Sequence, residues 1–260
     1  MTLVQIDDLE STIQSFPPID LPTLDQLASL QTRKDRKYLL TPDEVQGALG
    51  RTTERLSALE IDGRRTFAYR SLYFDTPEFS SYRSTATGRR RRFKVRLRQY
   101  VDQGTTVLEV KTHSPRGETV KHRIAYHSDP PGTLSHHAMG FVDHMTATPG
   151  LGASLVPMMW TGYRRSTLVD IDDGSRITID RDLTAAPFGG DWTPLTDRVI
   201  VESKAAGAAS PFDRVLWADH LRPLKVSKFA SAMALHHDRL PTNKWHRVLS
   251  EHFHPVARPA

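Results

Sequence analysis

Six consecutive residues, Phe93-Lys94-Val95-Arg96-Leu97-Arg98, alternate strictly between apolar and cationic side chains. Successive side chains point to opposite faces only in a β-strand; a helix would scatter these residues around its axis. The segment therefore requires a two-faced sheet, with Phe93, Val95 and Leu97 toward a core and Lys94, Arg96 and Arg98 on the other side. The habit returns. Glu109 alternates with Lys111, Lys121 with Arg123, and Glu202 with Lys204 in further apolar segments. Like charges two residues apart on one strand face stand roughly 7 Å from each other. They repel by about 2 kcal/mol at an effective dielectric near 20. Water relieves this on an open sheet, whereas inside a barrel acids or a bound anion must. The face is expected to bind something dense in negative charge, and removing Arg96 or Lys111 is expected to raise stability by relieving repulsion.

A solvated or nucleic-acid-binding surface is the competing reading. Nucleic-acid sites interleave aromatic residues among the basic ones, but here the intervening residues are Val95 and Leu97. Arg89, Arg90, Arg91 and Arg92 are consecutive and cannot share one face, so that run reads as a solvated turn or a nucleic-acid surface. Glu109 and Glu202 each precede a lysine by two residues. Carboxylates among phosphate-binding cations suit a hard divalent metal, which takes one or two protein oxygens and fills its shell with phosphate and water. A structural ion pair explains either acid equally well.

Composition removes several alternatives. There are 35 Lys+Arg against 30 Asp+Glu, a formal charge of only +5, so clustering carries more information than the sum. The absence of cysteine excludes disulfides, thiolate metal sites and a cysteine nucleophile. Neither a P-loop nor a Gly-x-Ser-x-Gly elbow is present. The 12 histidines form no His-x-x-x-His or His-Glu-x-x-His pattern, and His136-His137 and His236-His237 read as surface residues. No signal peptide is recognisable, and no apolar run approaches the roughly 20 residues of a membrane span. A soluble, cytoplasmic protein is expected.

Along the chain, residues 1–30 read as short helical or irregular pieces, residues 31–240 as the main domain and residues 241–260 as a peripheral His-containing tail. Thr41-Pro42-Asp43-Glu44 starts a helix expected to run to about Ala58. Strands are expected at 37–40, 71–75, 93–101, 106–112, 119–126, 160–171, 176–181 and 198–205. A short helix should contain Phe79 and Tyr82, and others should span 212–220 and 227–240. Asp102-Gln103-Gly104 and Asp172-Asp173-Gly174 are hairpin turns, and Ser114-Pro115-Arg116-Gly117 a looser loop. Antiparallel hairpins in series with few helices between favour an α+β fold built on a closed or nearly closed antiparallel β-barrel with flanking helices.

The order of motifs then resembles a known family. Asp35-Arg36-Lys37-Tyr38, Tyr73-Phe74-Asp75, the strand at 93–98 and Glu109-Val110-Lys111-Thr112-His113 come first. Val120-Lys121-His122-Arg123, Tyr163-Arg164-Arg165 and Arg176-Ile177-Thr178-Ile179-Asp180 follow. Val201-Glu202-Ser203-Lys204 and Lys225-Val226-Ser227-Lys228-Phe229 complete the set. Together they resemble the VTC domain, the catalytic domain of the vacuolar transporter chaperone polyphosphate polymerase, within the triphosphate tunnel metalloenzyme (CYTH-like) superfamily. The resemblance implies a tunnel that binds ATP and inorganic polyphosphate with Mn²⁺ or Mg²⁺. It implies that Lys37, Arg96, Arg98, Lys111 and Arg165 hold the triphosphate. Lys94, Lys121, Arg123, Arg176, Lys204, Lys225 and Lys228 would be further substrate-binding cations, with Glu109 a second acidic lining residue and His113 beside them. Glu202 would be the metal carboxylate and a catalytic residue. Two features differ from relatives: the SPX regulatory domain and C-terminal membrane region of the eukaryotic subunits have no counterpart here. The acidic Glu-x-Glu-x-Lys pattern of many CYTH phosphatases is replaced by Arg33-Lys34-Asp35-Arg36-Lys37. A polyphosphate polymerase is the expected activity. A triphosphatase on the same fold, or a non-catalytic polyphosphate- or RNA-binding module, are the alternatives.

Overall fold

The computed structural model describes residues 3–28, 34–113, 119–127 and 132–254. The loop expected at residues 114–117 and Arg33 lie outside the described residues. In chain order the helices are α1 (Leu3–Ser15), α2 (Leu21–Leu27), α3 (Pro42–Gly50), α4 (Ser80–Ala86), α5 (His136–Thr146), α6 (Leu151–Ser154), α7 (Pro211–Ala218), α8 (Lys228–His236) and α9 (His246–His252). The strands are β1 (Pro18–Ile19), β2 (Lys34–Leu40), β3 (Leu56–Leu59), β4 (Thr66–Asp75), β5 (Arg92–Tyr100), β6 (Thr105–His113) and β7 (Thr119–Ala125). They continue with β8 (Val156–Asp170), β9 (Arg176–Pro187), β10 (Thr193–Pro194) and β11 (Val199–Ala205). The α+β class with antiparallel pairing and flanking helices is the expected one. The chain divides into two compact units.

The first unit comprises Met1–Phe67, Tyr163–Leu183 and Thr196–Val226. In it β11 pairs antiparallel with both β2 and β9. Helix α3 begins as its sequence requires. Thr41 and Glu44 form a reciprocal capping box, with Pro42 at the first helical position. It ends at Gly50, not at the expected Ala58. The Thr52 and Thr53 hydroxyls donate to the carbonyls of Ala48, Leu49 and Gly50, which satisfies the last helical acceptors. The chain is then free to form β3, whose residues are all buried and which pairs with β8 through Leu56 and Asp170.

On β2, Arg36 and Tyr38 face α7. The Tyr38 hydroxyl donates to Asp213 at 2.7 Å and accepts from the Trp217 indole at 3.0 Å, while Arg36 donates to Asp213 at 3.3 Å. Burial, followed by the neighbouring Asp213 carboxylate, pushes the Tyr38 phenol well above its ordinary range. Because strand residues alternate, this anchoring turns Lys37 to the opposite face. The apolar face of the unit packs Tyr38, Leu40, Ile177, Ile179 and Val201 against α1, α3 and α7 through Ile13, Leu49 and Phe212.

The second unit comprises Ala68–Gly162, Thr184–Leu195 and Ser227–Ala260. Strands β4, β5, β6 and β7 form an antiparallel meander in that order. Gly104, at φ 63°, supplies the left-handed residue that closes the β5–β6 turn. Leu72, Phe74, Val95, Leu97, Leu108 and Val110 form one face and pack under α5 through Ala138 and Val142. Asp75, the last residue of β4, is buried and accepts from the backbone N–H groups of Thr76, Ser81 and Tyr82, so it fastens α4 to the strand end. Burial still raises its carboxyl above the usual value.

The stretch of residues 242–254 is not peripheral. It forms α9, buries Trp245 to 2% exposure beside the Tyr82 ring at 5.6 Å, and buries Val248 and Phe253. His254 N–H donates to the Leu195 carbonyl at 2.8 Å. Its charged and histidine-rich composition conceals apolar residues too widely spaced to form an obvious periodic pattern. Trp245→Ala is expected to lower stability by about 3 kcal/mol, measured by urea unfolding. A loss below about 0.5 kcal/mol would restore the peripheral tail.

Candidate polyanion-binding site

In the second unit the strand register assembles the predicted cations in rows. Lys94 stands opposite Lys111, which stands opposite Lys121. The next row is Tyr73, Arg96, Glu109 and Arg123, followed by Ser71, Arg98 and Val107. Arg92, His113 and Thr119 form the row beyond the lysines. Directly opposed residues on neighbouring strands lie about 5 Å apart, so the face is a lattice of closely spaced charge. Its reverse is the Val95, Leu97, Leu108 and Val110 core.

Glu109 occupies the centre. Its side chain is 3% exposed, Arg96 Nε donates to Oε2 at 2.7 Å, and an Arg96 terminal nitrogen lies 2.5 Å from the same oxygen. Arg98 and Lys121 approach Oε1 at 3.7 and 3.9 Å. Burial alone would push the carboxyl up, but Arg96, then Arg98 and Lys121, hold it down to about 2. The same surroundings lower the Lys121 ammonium, through burial first and the facing arginines next, against the pull of Glu109. Of the two sources of relief open to such a face, an acid or a bound anion, the acid is therefore built in. Removing Arg96 does not simply lift repulsion; it takes the main partner from a buried carboxylate. Glu109 Oε1 and Arg98 Nε are buried without a hydrogen-bond partner among the described residues. The arginine donor is thus one that a phosphate oxygen could satisfy.

Tyr73 completes this row. Its hydroxyl accepts from Arg96 at 3.0 Å, and its ring stacks on Phe229 with centroids 4.7 Å apart. Burial would raise the phenol, but Arg96, Lys94 and Arg98 bring it down to about 8. Lys94 Nζ lies over both rings, at 5.9 and 5.6 Å, and donates to Ser227 Oγ at 3.3 Å. Ser227 is the N-cap of α8, which sets Lys228 at the first helical position. Lys111, Lys121 and Arg123 are exposed, while His113 and Lys228 are half-buried.

In the first unit the same logic applies on a smaller scale. Glu202 stands between Lys37 and Thr178, and Lys204 between Asp35 and Arg176. Glu202 Oε1 lies 3.8 Å from Lys37 Nζ and 3.7 Å from Lys204 Nζ. Arg165 binds Asp180 through two parallel bonds of 2.6 and 2.7 Å, and Asp180 is fully buried. Burial would lower the Arg165 guanidinium, yet Asp180, with Tyr163 and Glu202 adding to it, raises it well above the ordinary value. Arg176 donates to Asp25 of α2 at 2.7 Å. Lys225 is exposed on the segment that Leu224 N–H fastens to the Lys37 carbonyl at 2.7 Å.

The predicted strand residues thus fall into two groups, each on the charged face of its own unit, while Lys225 lies on an irregular segment and Lys228 at the start of α8. Among the described residues no three His, Cys, Asp or Glu side chains cluster to cage a metal. Glu202, flanked by two lysines, fits an ion only as a single carboxylate, with phosphate oxygens supplying other ligands. Asp180 and Tyr73 received no role from the sequence. Asp180 was detectable, because Arg176-Ile177-Thr178-Ile179-Asp180 alternates as residues 93–98 do. Tyr73 was not, since nothing in a sequence gives the register that sets it opposite Arg96 on the neighbouring strand.

Residues 32–139 and 144–237 match the model of the VTC domain. No curated protein matches the chain. Among solved structures, the chain is similar to a Bacillus halodurans protein described as a candidate adenylate cyclase. The TM-score is 0.50 at 12% identity, over 75% of this chain and 94% of that one. A candidate adenylyl cyclase from Hippeastrum, described as having a dominant triphosphatase activity, gives a TM-score of 0.46 at 15% identity, over 77% and 94%. The Bacillus likeness shows a shared fold. The family match covers most of the sequence, and the chain belongs to the VTC domain family.

Proposed function

We propose that this VTC-domain chain is a metal-dependent polyphosphate polymerase that transfers the γ-phosphoryl group of ATP to a growing inorganic polyphosphate chain. The observation that carries this reading is the cationic face of β5, β6 and β7, where registry aligns three lysines beside an arginine pair sharing one buried counter-ion. Such a face suits a substrate that presents negative charge at regular intervals. The proposed phosphate contacts are Arg96, Arg98 and Lys111 in the second unit and Lys37 and Arg165 in the first. Lys94, Lys121, Arg123, Lys204, Lys225 and Lys228 are proposed to hold adjacent phosphates, with Arg176, His113 and Glu109 bordering them.

Glu202 is proposed to hold Mn²⁺ or Mg²⁺, which when bound supplies charge neutralisation across the reacting phosphates. The chain's own residues do the rest. Arginines present planar forks to phosphate oxygens, and lysines act as point charges. They orient the terminal phosphate of the polymer in line with the γ-phosphorus. The bond between the β–γ bridging oxygen and that phosphorus breaks, a bond to the polymer's terminal oxygen forms, and ADP leaves. The acceptor oxygen is already anionic at neutral pH, so positioning and electrostatics supply catalysis without a protein nucleophile. Hydrolysis would require water in the acceptor's place.

Incubation with ATP and Mn²⁺, read by gel staining for long-chain polyphosphate beside a free-phosphate assay, tests the reaction. Polymer with little free phosphate is expected; free phosphate alone makes the protein a triphosphatase, and neither product makes it a binder. In the same assay Glu202→Gln should keep nucleotide affinity within about threefold and lose metal-dependent turnover by about 100-fold or more. Unchanged turnover would remove Glu202 from the site. Arg96→Ala should abolish triphosphate binding in calorimetry and also destabilise the protein by about 3 kcal/mol, because Glu109 loses its main partner. The double variant Arg96→Ala/Glu109→Ala should recover most of that stability and none of the binding. A stabilised single variant would show that repulsion, not the ion pair, dominates this face.

A further inference from the structure

The charge on the β5–β7 face is graded along the strands. The row containing Arg98 has one cation, and the Arg96–Glu109–Arg123 row has two cations and one acid. The Lys94–Lys111–Lys121 row has three cations and no acidic position. Beyond it Arg92 opposes His113, and then the chain leaves the sheet through Arg91, Arg90 and Arg89. These three arginines are exposed, and their backbone is fixed rather than dangling. Gly88 turns the chain at φ 70°, Arg89 N–H donates to the Ser84 carbonyl at 2.9 Å, and Arg92 donates to the Arg89 carbonyl at 2.9 Å. Lys244 Nζ donates to the Thr85 carbonyl at 2.7 Å, which sets another cation on the preceding helix.

From Arg98 to Arg92 the face spans about 20 Å along the strand, more than a triphosphate covers. A short polyanion centred on Arg96 and Arg98 would leave the lysine row and the arginine turn unused. A long one would extend from the lysine row past Arg92 to the arginine turn. We propose that Arg89, Arg90 and Arg91 form an outer anchor for long-chain polyphosphate, continuous with the lysine row and not engaged by triphosphate. This rests on the proposed polyanion function of the face but not on the polymerase chemistry. The turn carries no aromatic residue between the arginines on which a base could stack, so polyphosphate rather than single-stranded RNA is the favoured occupant.

The test compares wild type with Arg89→Ala/Arg90→Ala/Arg91→Ala and with the corresponding triple lysine variant. The probes are tripolyphosphate, long-chain polyphosphate and single-stranded RNA. The alanine variant should bind long-chain polyphosphate about tenfold more weakly with a shallower salt dependence, while tripolyphosphate affinity stays unchanged. The lysine variant should restore most of the long-chain affinity. Equal losses for both phosphates, no loss for the long chain, or a loss confined to RNA would each overturn the anchor. ATP turnover is measured on the same samples. Weakened long-chain binding in a protein that makes no polymer keeps the anchor and removes the polymerase. Unchanged long-chain binding in a protein that does make polymer removes the anchor alone.

Discussion

One buried carboxylate makes a densely cationic sheet face compatible with a folded protein. Arg96, Arg98 and Lys121 converge on Glu109, which is 3% exposed and ionised by their combined field. Without it, Arg96, Arg98 and Lys121 would share one face with no acid among them, at a cost the apolar core beneath must absorb. With it, the first rows are partly compensated and keep directional donors for an anion. The arrangement is neither a bare positive surface nor a closed ion-pair network. It holds the fold together while leaving a net positive charge that increases toward the lysine row.

The first unit solves a related problem by another route. Arg165 is satisfied by a bidentate pair with buried Asp180, and Glu202 sits between Lys37 and Lys204. The orientation of Lys37 depends on its neighbours on both sides. Arg36 and Tyr38 are held by Asp213 from α7, so strand alternation leaves Lys37 only the opposite direction. In the first unit Lys37 is therefore positioned by hydrogen bonds made on the reverse face of its strand, whereas in the second the apolar core of Val95, Leu97, Leu108 and Val110 fixes the reverse face. Asp213, remote from any phosphate by this logic, orients a phosphate-binding candidate through the backbone.

Strands with unlike faces were legible because alternation is a local property: the expected strands 93–101, 106–112 and 198–205 all lie within a residue of the observed β5, β6 and β11. The side chains sharing a face could be named for the same reason. What alternation cannot convey is registry between strands. Glu109 opposite Arg96 rather than Arg98 is a matter of two residues in the β5–β6 register, and the registry makes a candidate metal ligand the counter-ion of its neighbours. The overlong α3 has a different cause. Residues 51–58 contain no proline or glycine to end a helix, and the threonine hydroxyls that do so act through geometry. Trp245 and Phe253 escaped notice because single aromatics in a polar segment have no period to betray burial.

The state of Glu109 reports on this face more directly than any loss of activity does. A carbon-13 NMR titration of its side-chain carboxyl, in phosphate-free buffer, measures how strongly the surrounding cations hold it ionised. The expected midpoint is about 2. Its folded value would then lie below the unfolded one, so its contribution to stability is complete above about pH 4.5 and is lost as the pH falls toward 2. A midpoint near the ordinary 4.5 would mean that Arg96, Arg98 and Lys121 do not converge on this carboxylate, and the cationic face would need another explanation.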